Sequence, residues 1–239
     1  MICVAIPVIQ SEEEAIRQAK EAVILGAKYV EYRFDFFENY DQLNYAKFLH
    51  SVDVPVIFTF RASCEGGMAL IDVGKRQRLL LSFLDFKPDY IDVEWSTEKL
   101  FLMDFVRKGK EAGIKFIISW HDMEKTPPLP QIEETIEQIK QLPLDFSPGN
   151  DIVKIVTTAV DFRDNINILR FCKSARAGNF QLITFCMGQM GIVSRVLAPS
   201  MGAVFSYASI GEKTTAGQIH ISDFMDMYEL YQNACESIL

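Results

Sequence analysis

KFIISWHD at residues 115–122 and DIVKIVTT at residues 151–158 are two short apolar runs that flank the segment PQIEETIEQIKQL at 130–142. The runs are rich in β-branched and aromatic residues, which predicts buried strands at 115–120 and 152–157. The segment between them is typical of a helix. A strand, a helix and a second strand in this order form the crossover unit of a parallel sheet.

The same alternation continues in both directions along the chain. Further strands are predicted at 2–8, 29–34, 54–60, 90–94, 181–185 and 203–207. Further helices are predicted at 12–25, 40–51, 74–86, 98–112, 162–177, 191–198 and 222–237, the first with a capping box at Ser11 and Glu14. Eight units in 239 residues predict an α/β fold, a single (β/α)8 TIM-type barrel domain over 1–239. An open, doubly wound sheet is the alternative, but eight similar units favour closure.

Composition restricts the class of protein. The net charge of −8 disfavours nucleic acid and anionic membranes as partners, and an anionic substrate would need local arginines. The five cysteines form no CxxC pair and no metal-binding spacing, which favours reduced thiols and a cytoplasmic location. The N-terminal run is typical of a first strand rather than a signal peptide, and no run has the length of a membrane helix.

Chemistry in such a barrel belongs at the carboxyl ends of the strands. Ionisable residues in or just after the apolar runs are therefore the candidates for a site, since a buried charge is costly unless it is paired or functional. These candidates are Glu31, Arg33, Arg61, Glu65, Glu94, His121, Asp122, Lys154 and Arg195, followed by the loop GEKTTAGQ at 211–218. Glu31 and Arg33 could instead form a structural ion pair, Glu94 is better explained structurally, and Asp122 is better explained as a cap.

Lys154 is the most informative of these residues, because apolar β-branched residues flank it on both sides in a buried strand. An ammonium group there loses its water. It is then either tightly ion-paired, with Glu31 or Glu94 as possible partners, or held as an amine for attack on a carbonyl. The proximity of His121 and several arginines on one rim favours the catalytic interpretation.

Six fragments together carry a resemblance to a known family. They are VEYRFD at 30–35, TFRASCEGG at 59–67, SWHD at 119–122, VKIV at 153–156, MGQMGIVSR at 187–195 and the loop at 211–218. In this order, each at a strand end, they resemble type I 3-dehydroquinate dehydratase, a lyase of the shikimate pathway. The resemblance covers nearly the whole chain.

The resemblance implies a barrel enzyme that converts 3-dehydroquinate to 3-dehydroshikimate and water through an imine, without metal or cofactor, in chorismate and aromatic amino-acid biosynthesis. It implies that Lys154 forms the Schiff base, that His121 is the general acid and base, and that Glu65 orients His121. It also implies a substrate-binding set made of Glu31, Arg33, Arg61, Arg195, Thr214 and Gln218. By analogy with the family, the chain is expected to be a homodimer.

Two positions of the loop depart from the family pattern. Thr214 stands where the family often has serine, and Ala216 stands where it often has proline. The hydroxyl is kept, so we expect binding to be intact and the closure of the loop to differ. Two other functions remain open from the residues: a class I aldolase, which would share the lysine, and a barrel that only binds a ligand.

Overall fold

The computed structural model describes residues 1–142, 149–175 and 181–236. Its eight strands are β1 (Ile2–Pro7), β2 (Tyr29–Arg33), β3 (Val56–Thr59), β4 (Tyr90–Glu94), β5 (Lys115–His121), β6 (Ile152–Thr158), β7 (Gln181–Met187) and β8 (Ser206–Ala208). All neighbouring strands pair in parallel, in the order β7-β6-β5-β4-β3-β2-β1-β8. At the seam between β7 and β8, the amide of Val204 donates to the carbonyl of Leu182 at 2.9 Å. The predicted (β/α)8 barrel is confirmed.

In the described residues, eight α-helices alternate with the strands. They are α1 (Glu12–Ile24), α2 (Tyr45–Leu49), α3 (Val73–Phe86), α4 (Lys99–Glu111), α5 (Leu129–Gln141), α6 (Phe162–Ala175), α7 (Ile192–Met201) and α8 (Ile221–Glu236). The serine half of the predicted capping box of α1 is present, since the Ser11 hydroxyl accepts a hydrogen bond from the Glu14 amide at 3.1 Å, while the Glu14 carboxylate accepts from Arg17 and Gln18 instead. The predicted ends of two helices, at 176–177 and 237, lie outside the described residues. No helix in the described ranges is both long and apolar enough to cross a membrane.

Two predicted elements differ from those observed. The helix predicted at 40–51 is a short 3-10 turn, Tyr40–Gln42, followed by α2, because Leu43 adopts an extended backbone between them. The strand predicted at 203–207 pairs with β1 only over β8. The apolar residues before β8 lead into the strand and pack in the interior without forming part of that ladder.

The interior of the barrel changes character along its axis. Near the amino ends of the strands it is filled by apolar side chains, among them Ile57, Ile117 and Ile152. Two residues further along their strands, β5 carries Ser119 and β6 carries Lys154, which are register partners. A second apolar cluster packs the helices against the outside of the sheet. The polar layer therefore sits on an apolar floor and faces the carboxyl ends of the strands.

Candidate active site

One cavity at the carboxyl ends of the strands contains every side chain for which the sequence predicts a catalytic or binding role. It encloses about 420 Å³ of space, part of it open to solvent. The predicted residues that line it are Glu31, Arg33, Arg61, Glu65, His121, Lys154, Arg195, Thr214 and Gln218. Residues from β2, β5 and β6, from α7 and from the segments after β3 and β8 thus meet in one place.

Lys154 lies at the bottom of this cavity with 4% of its surface exposed. Its Nζ donates to Asp92 Oδ2 at 2.9 Å and to the Tyr207 hydroxyl at 3.2 Å, and it lies 4.0 Å from Glu31 Oε1. Burial alone would raise the pKa of Asp92, but the charges of Arg61 and Lys154 outweigh it and lower that pKa. The ion pair considered from the sequence exists, but its nearest carboxylate is Asp92 rather than Glu31 or Glu94.

A buried charge network continues outward from Asp92. Arg61 Nη2 lies 2.8 Å from Asp92 Oδ2, and Arg61 Nη1 lies 2.9 Å from Glu94 Oε1. The Ser119 hydroxyl donates to Asp92 Oδ1 at 2.6 Å, and Arg76 binds the other oxygen of Glu94. Arg61 therefore bridges two buried carboxylates, which gives it a structural task besides any contact with a ligand. Glu94 is part of this network, as the structural interpretation of the sequence expected.

Glu65 holds His121 by two hydrogen bonds. The Glu65 Oε2 atom lies 2.9 Å from His121 Nδ1 and accepts the His121 amide at 2.9 Å. Burial, and then the charge of Glu94, raise the pKa of Glu65 to about 7. Burial, and then the charges of Arg61 and Lys154, lower the pKa of His121 well below its usual range. The imidazole is thus neutral, and the contact at Nδ1 leaves Nε2 as the ring nitrogen available for a proton.

The hydroxyl of Ser96 lowers the pKa of Glu65, because it donates to Glu65 Oε1 at 2.5 Å and so favours the charged carboxylate. We expect Ser96→Ala to raise the pKa of Glu65 above about 7, by about one unit for a lost hydrogen bond to a charged group. An NMR titration of the Glu65 carboxyl carbon measures this shift. Ser82→Ala, which removes a helix-backbone hydrogen bond on α3, is the control and should leave the midpoint unchanged. An unchanged midpoint in Ser96→Ala would contradict the expectation.

Arg33 does not pair with Glu31, contrary to the structural alternative considered from the sequence. It makes a two-pronged ion pair with Asp35, with both N···O distances 2.8 Å. Asp35 also accepts the amides of Arg61 and Met68, which fixes the loops after β2 and β3 against each other. Glu31 instead accepts a hydrogen bond from the Thr59 hydroxyl on β3 and lines the cavity.

Arg195, in the first turn of α7, is 1% exposed. Its Nη1 makes one long hydrogen bond of 3.4 Å to the carbonyl of Tyr207, and its guanidinium lies 4.4 Å from the ring centre of Phe185. Within the described residues, its Nε and Nη2 have no hydrogen-bond partner. Burial lowers the pKa of Arg195 to about 10. A buried guanidinium with two unused donors is suited to a carboxylate ligand.

The loop after β8 closes one side of the cavity. The Gln218 side chain accepts the Thr214 amide at 2.8 Å and donates to the Thr214 hydroxyl at 2.9 Å. Gly217 has a positive φ of 76°, and a Cβ there would lie 2.1 Å from the carbonyl oxygen of Gly188. The loop therefore lies directly on the turn after β7, and Ala216 accepts the Gly188 amide at 3.2 Å. This contact does not need the proline that the family often has.

Sequence reasoning missed two residues that touch Lys154. Asp92 is a charged residue inside the apolar strand β4. The criterion that selected Lys154 would also have selected Asp92, but on β4 the criterion was applied only to the end of the strand. Tyr207 carried no such signal, because an aromatic residue in a buried strand is typical of a core.

Asp122 caps the turn after β5 by accepting the amides of Glu124 and Lys125.

Comparison with known proteins agrees with this geometry. The 3-dehydroquinate dehydratase of Pyrococcus abyssi is 32% identical over 214 residues, which cover 89% of this chain and 90% of that protein. The bifunctional 3-dehydroquinate dehydratase/shikimate dehydrogenase of Arabidopsis thaliana is 30% identical over 232 residues. That match covers 95% of this chain and 36% of the Arabidopsis protein, so the chain spans about a third of its length.

A solved structure supports the same assignment. The type I 3-dehydroquinate dehydratase of Clostridium difficile superposes with a TM-score of 0.82 at 26% identity, covering 97% of this chain and 92% of that one. The family model described as type I 3-dehydroquinase matches residues 2–234. With the barrel, the cavity and these matches in agreement, the chain belongs to the type I 3-dehydroquinase family.

Proposed function

We propose that this chain converts 3-dehydroquinate into 3-dehydroshikimate and water through a Schiff base on Lys154, as a step of aromatic amino-acid biosynthesis. The observation that carries the proposal is the buried Lys154 amine at the bottom of a cavity that also holds the Glu65–His121 pair and Arg195, whose Nε and Nη2 have no partner in the part of the chain that the structure describes. The reaction needs a nucleophile, a base that becomes an acid, and a carboxylate site, and this cavity has a candidate for each.

In the proposed reaction, Lys154 first gives up a proton to solvent in the open cavity, and the neutral amine attacks the ketone of the substrate. Loss of water from the adduct leaves a positively charged iminium, with Asp92 as its counter-ion at the distance it now keeps from Nζ. The iminium accepts the electrons of the neighbouring C–H bond when His121 removes that proton. His121 then returns the proton to the departing hydroxyl, and water hydrolyses the iminium to release Lys154.

Substrate binding follows from the unused hydrogen-bonding groups of the cavity. Arg195 offers Nε and Nη2 to the substrate carboxylate, in the two-pronged geometry that a lysine could not reproduce. Glu31, Arg33 and the Thr214–Gln218 pair are the groups suited to the substrate hydroxyls. Since Arg61 is paired with the buried carboxylates of Asp92 and Glu94, we propose that it acts mainly by fixing the charges around Lys154.

Borohydride trapping tests the proposal directly. Sodium borohydride added during turnover of 3-dehydroquinate is expected to leave a reduced adduct on Lys154, identified by mass spectrometry of the digested protein. Lys154→Met should give neither adduct nor activity. Lys115→Met, at the amino end of β5 and remote from the cavity, is the matched control and should retain both. An active wild-type protein with no modified Lys154 would refute the imine mechanism.

Two further parts of the proposal concern the setting of the enzyme. The related Clostridium difficile structure carries covalent modified comenic acid, which supports a reactive group in that enzyme's fold. All five cysteines are free, three of them buried, which is consistent with the proposed cytoplasmic location. The proposed homodimer rests on analogy with the family.

A further inference from the structure

Tyr207 is placed against the proposed nucleophile in a way that packing alone does not require. Its hydroxyl lies 3.2 Å from Lys154 Nζ, and the centre of its ring lies 4.3 Å from the same atom. Because an ammonium group only donates, the Tyr207 oxygen accepts this hydrogen bond and keeps its own hydrogen for another acceptor. Its present acceptor is the Cys3 thiol on β1, a weak acceptor that a substrate oxygen can replace.

The two hydrogen bonds of Lys154 leave one position on its nitrogen without a partner among the described residues. One N–H of the ammonium points to Asp92 and a second points to Tyr207, at 2.9 and 3.2 Å. Glu31 is 4.0 Å away, beyond hydrogen-bond distance. The third position on nitrogen, which holds the lone pair in the neutral amine, is therefore free to face the substrate carbonyl. The Tyr207 hydroxyl then lies beside the carbon–nitrogen bond that forms.

This position matches a need of imine formation. When the neutral amine adds to a ketone, the nitrogen becomes positive and the carbonyl oxygen becomes negative, and both atoms are bonded to the same carbon. A neutral carbinolamine requires that a proton leave this nitrogen and that a proton reach this oxygen. A hydroxyl that accepts from the nitrogen and donates to the oxygen completes both transfers and ends unchanged.

We propose that Tyr207 is a catalytic residue of this enzyme that relays a proton from Lys154 Nζ to the substrate oxygen during formation of the carbinolamine. The inference rests on the proposed function. The proton that Lys154 released to solvent on becoming neutral returns from solvent to the carbinolamine hydroxyl, the C–O bond breaks, water leaves, and the nitrogen lone pair forms the iminium. The charge is +1 on Lys154 at the start and +1 on the iminium at the end.

The surroundings of Tyr207 favour a relay over a phenolate base. Burial, and then the negative charge of Glu31, raise the pKa of Tyr207 well above its usual range. Cys3, its register partner on β1, also has a raised pKa because of burial and Glu31, so no neighbouring thiolate deprotonates the phenol. The hydroxyl is therefore protonated at working pH, as a group that must donate while it accepts has to be.

Tyr207→Phe tests the inference, because it removes the hydroxyl and keeps the ring against Lys154. We expect the rate of borohydride-trappable adduct formation, followed by rapid quench, to fall by about tenfold to a hundredfold, the lower part of the general acid–base range. Since imine formation then limits turnover, the primary isotope effect with substrate deuterated at the abstracted position should fall towards unity. Tyr90→Phe removes another tyrosine hydroxyl from the same barrel interior and should change neither quantity.

The possible results separate the inference from the proposed function. Adduct formation at the wild-type rate in Tyr207→Phe would overturn the relay, as would a slow variant that keeps the full isotope effect, which is the behaviour of a residue that only supports packing. A melting temperature close to that of the wild type establishes that the variant is folded. If the wild-type protein itself formed no adduct on Lys154, the proposed function would fail, whatever Tyr207→Phe did.

Discussion

His121→Ala is expected to form the imine on Lys154 and then to stop before dehydration, with turnover reduced by about 10²- to 10⁴-fold. The imidazole is the neutral ring held by Glu65, and its Nε2 is the proposed acceptor of the substrate proton. Without it, the iminium has no positioned base. The fraction of enzyme trapped by borohydride in the steady state should therefore rise while product formation, followed by the absorbance of the conjugated product, nearly ceases.

A matched control and a rescue make this result specific. His50→Ala removes an exposed histidine at the end of α2 and should leave turnover unchanged. Added imidazole should restore part of the activity of His121→Ala, because Glu65 keeps its hydrogen bond from Ser96 and the cavity left by the ring is open to solvent. Turnover near the wild-type rate in His121→Ala would remove this residue from the proposed mechanism.

Arg61→Met is expected to be the most destabilising single change in the site. Arg61 lies between three buried carboxylates, at 2.8 Å from Asp92, 2.9 Å from Glu94 and 4.0 Å from Glu31. Removing one member of a buried charge network leaves its partners uncompensated, at a cost of about 3–5 kcal/mol in the free energy of unfolding. Urea denaturation followed by circular dichroism measures this loss.

The pH dependence of that loss follows from its cause. In the wild type the pKa of Asp92 is lowered, so its contribution to stability is present at neutral pH and is lost only as the pH falls through that lowered pKa. Without Arg61 the pKa of Asp92 rises, and the carboxyl is relieved by protonation. The difference between variant and wild type should therefore be largest near pH 7 and shrink below about pH 4.

The control for this variant is an arginine with equally short contacts on the surface. Arg107 pairs with Asp104 and Glu111 at 2.6 and 2.7 Å but is half exposed. Arg107→Met should change the free energy of unfolding by less than about 1 kcal/mol, as exposed pairs do. If Arg61→Met were as mild as Arg107→Met, the buried network would not be the source of stability inferred here.

The sequence predicted the barrel well because its evidence is local and repeated. Each strand is a short apolar run, and eight of them with helices between admit few arrangements. Element ends were less predictable: α2 is shortened because Leu43 is extended, and β8 is short because pairing with β1 stops within three residues. Pairing partners lie far away in sequence and leave no local mark.

The members of the site were predictable, but their mutual contacts were not. Lys154 could be found as a charge in an apolar strand, and an ion pair could be expected. The register places Lys154 level with Ser119 and Glu94, yet its contact is with Asp92, two residues earlier on β4. Tyr207 was not identified from the sequence, because an aromatic ring in a buried strand is typical of a core. Its hydroxyl becomes informative only once its contact with Lys154 is known. Contacts across a barrel depend on stagger, which composition does not encode.

The seam between β7 and β8 has a consequence for how this protein resists heat. In the part of the chain that the structure describes, these two strands share no ladder, and Arg195 reaches across the seam from α7 to the carbonyl of Tyr207. A carboxylate bound by Arg195 would therefore bridge the two edges where local unfolding of the sheet costs least. The barrel without a bound carboxylate should therefore unfold at a lower temperature. A bound ligand should raise the free energy of unfolding by an amount that grows with the logarithm of the ligand concentration.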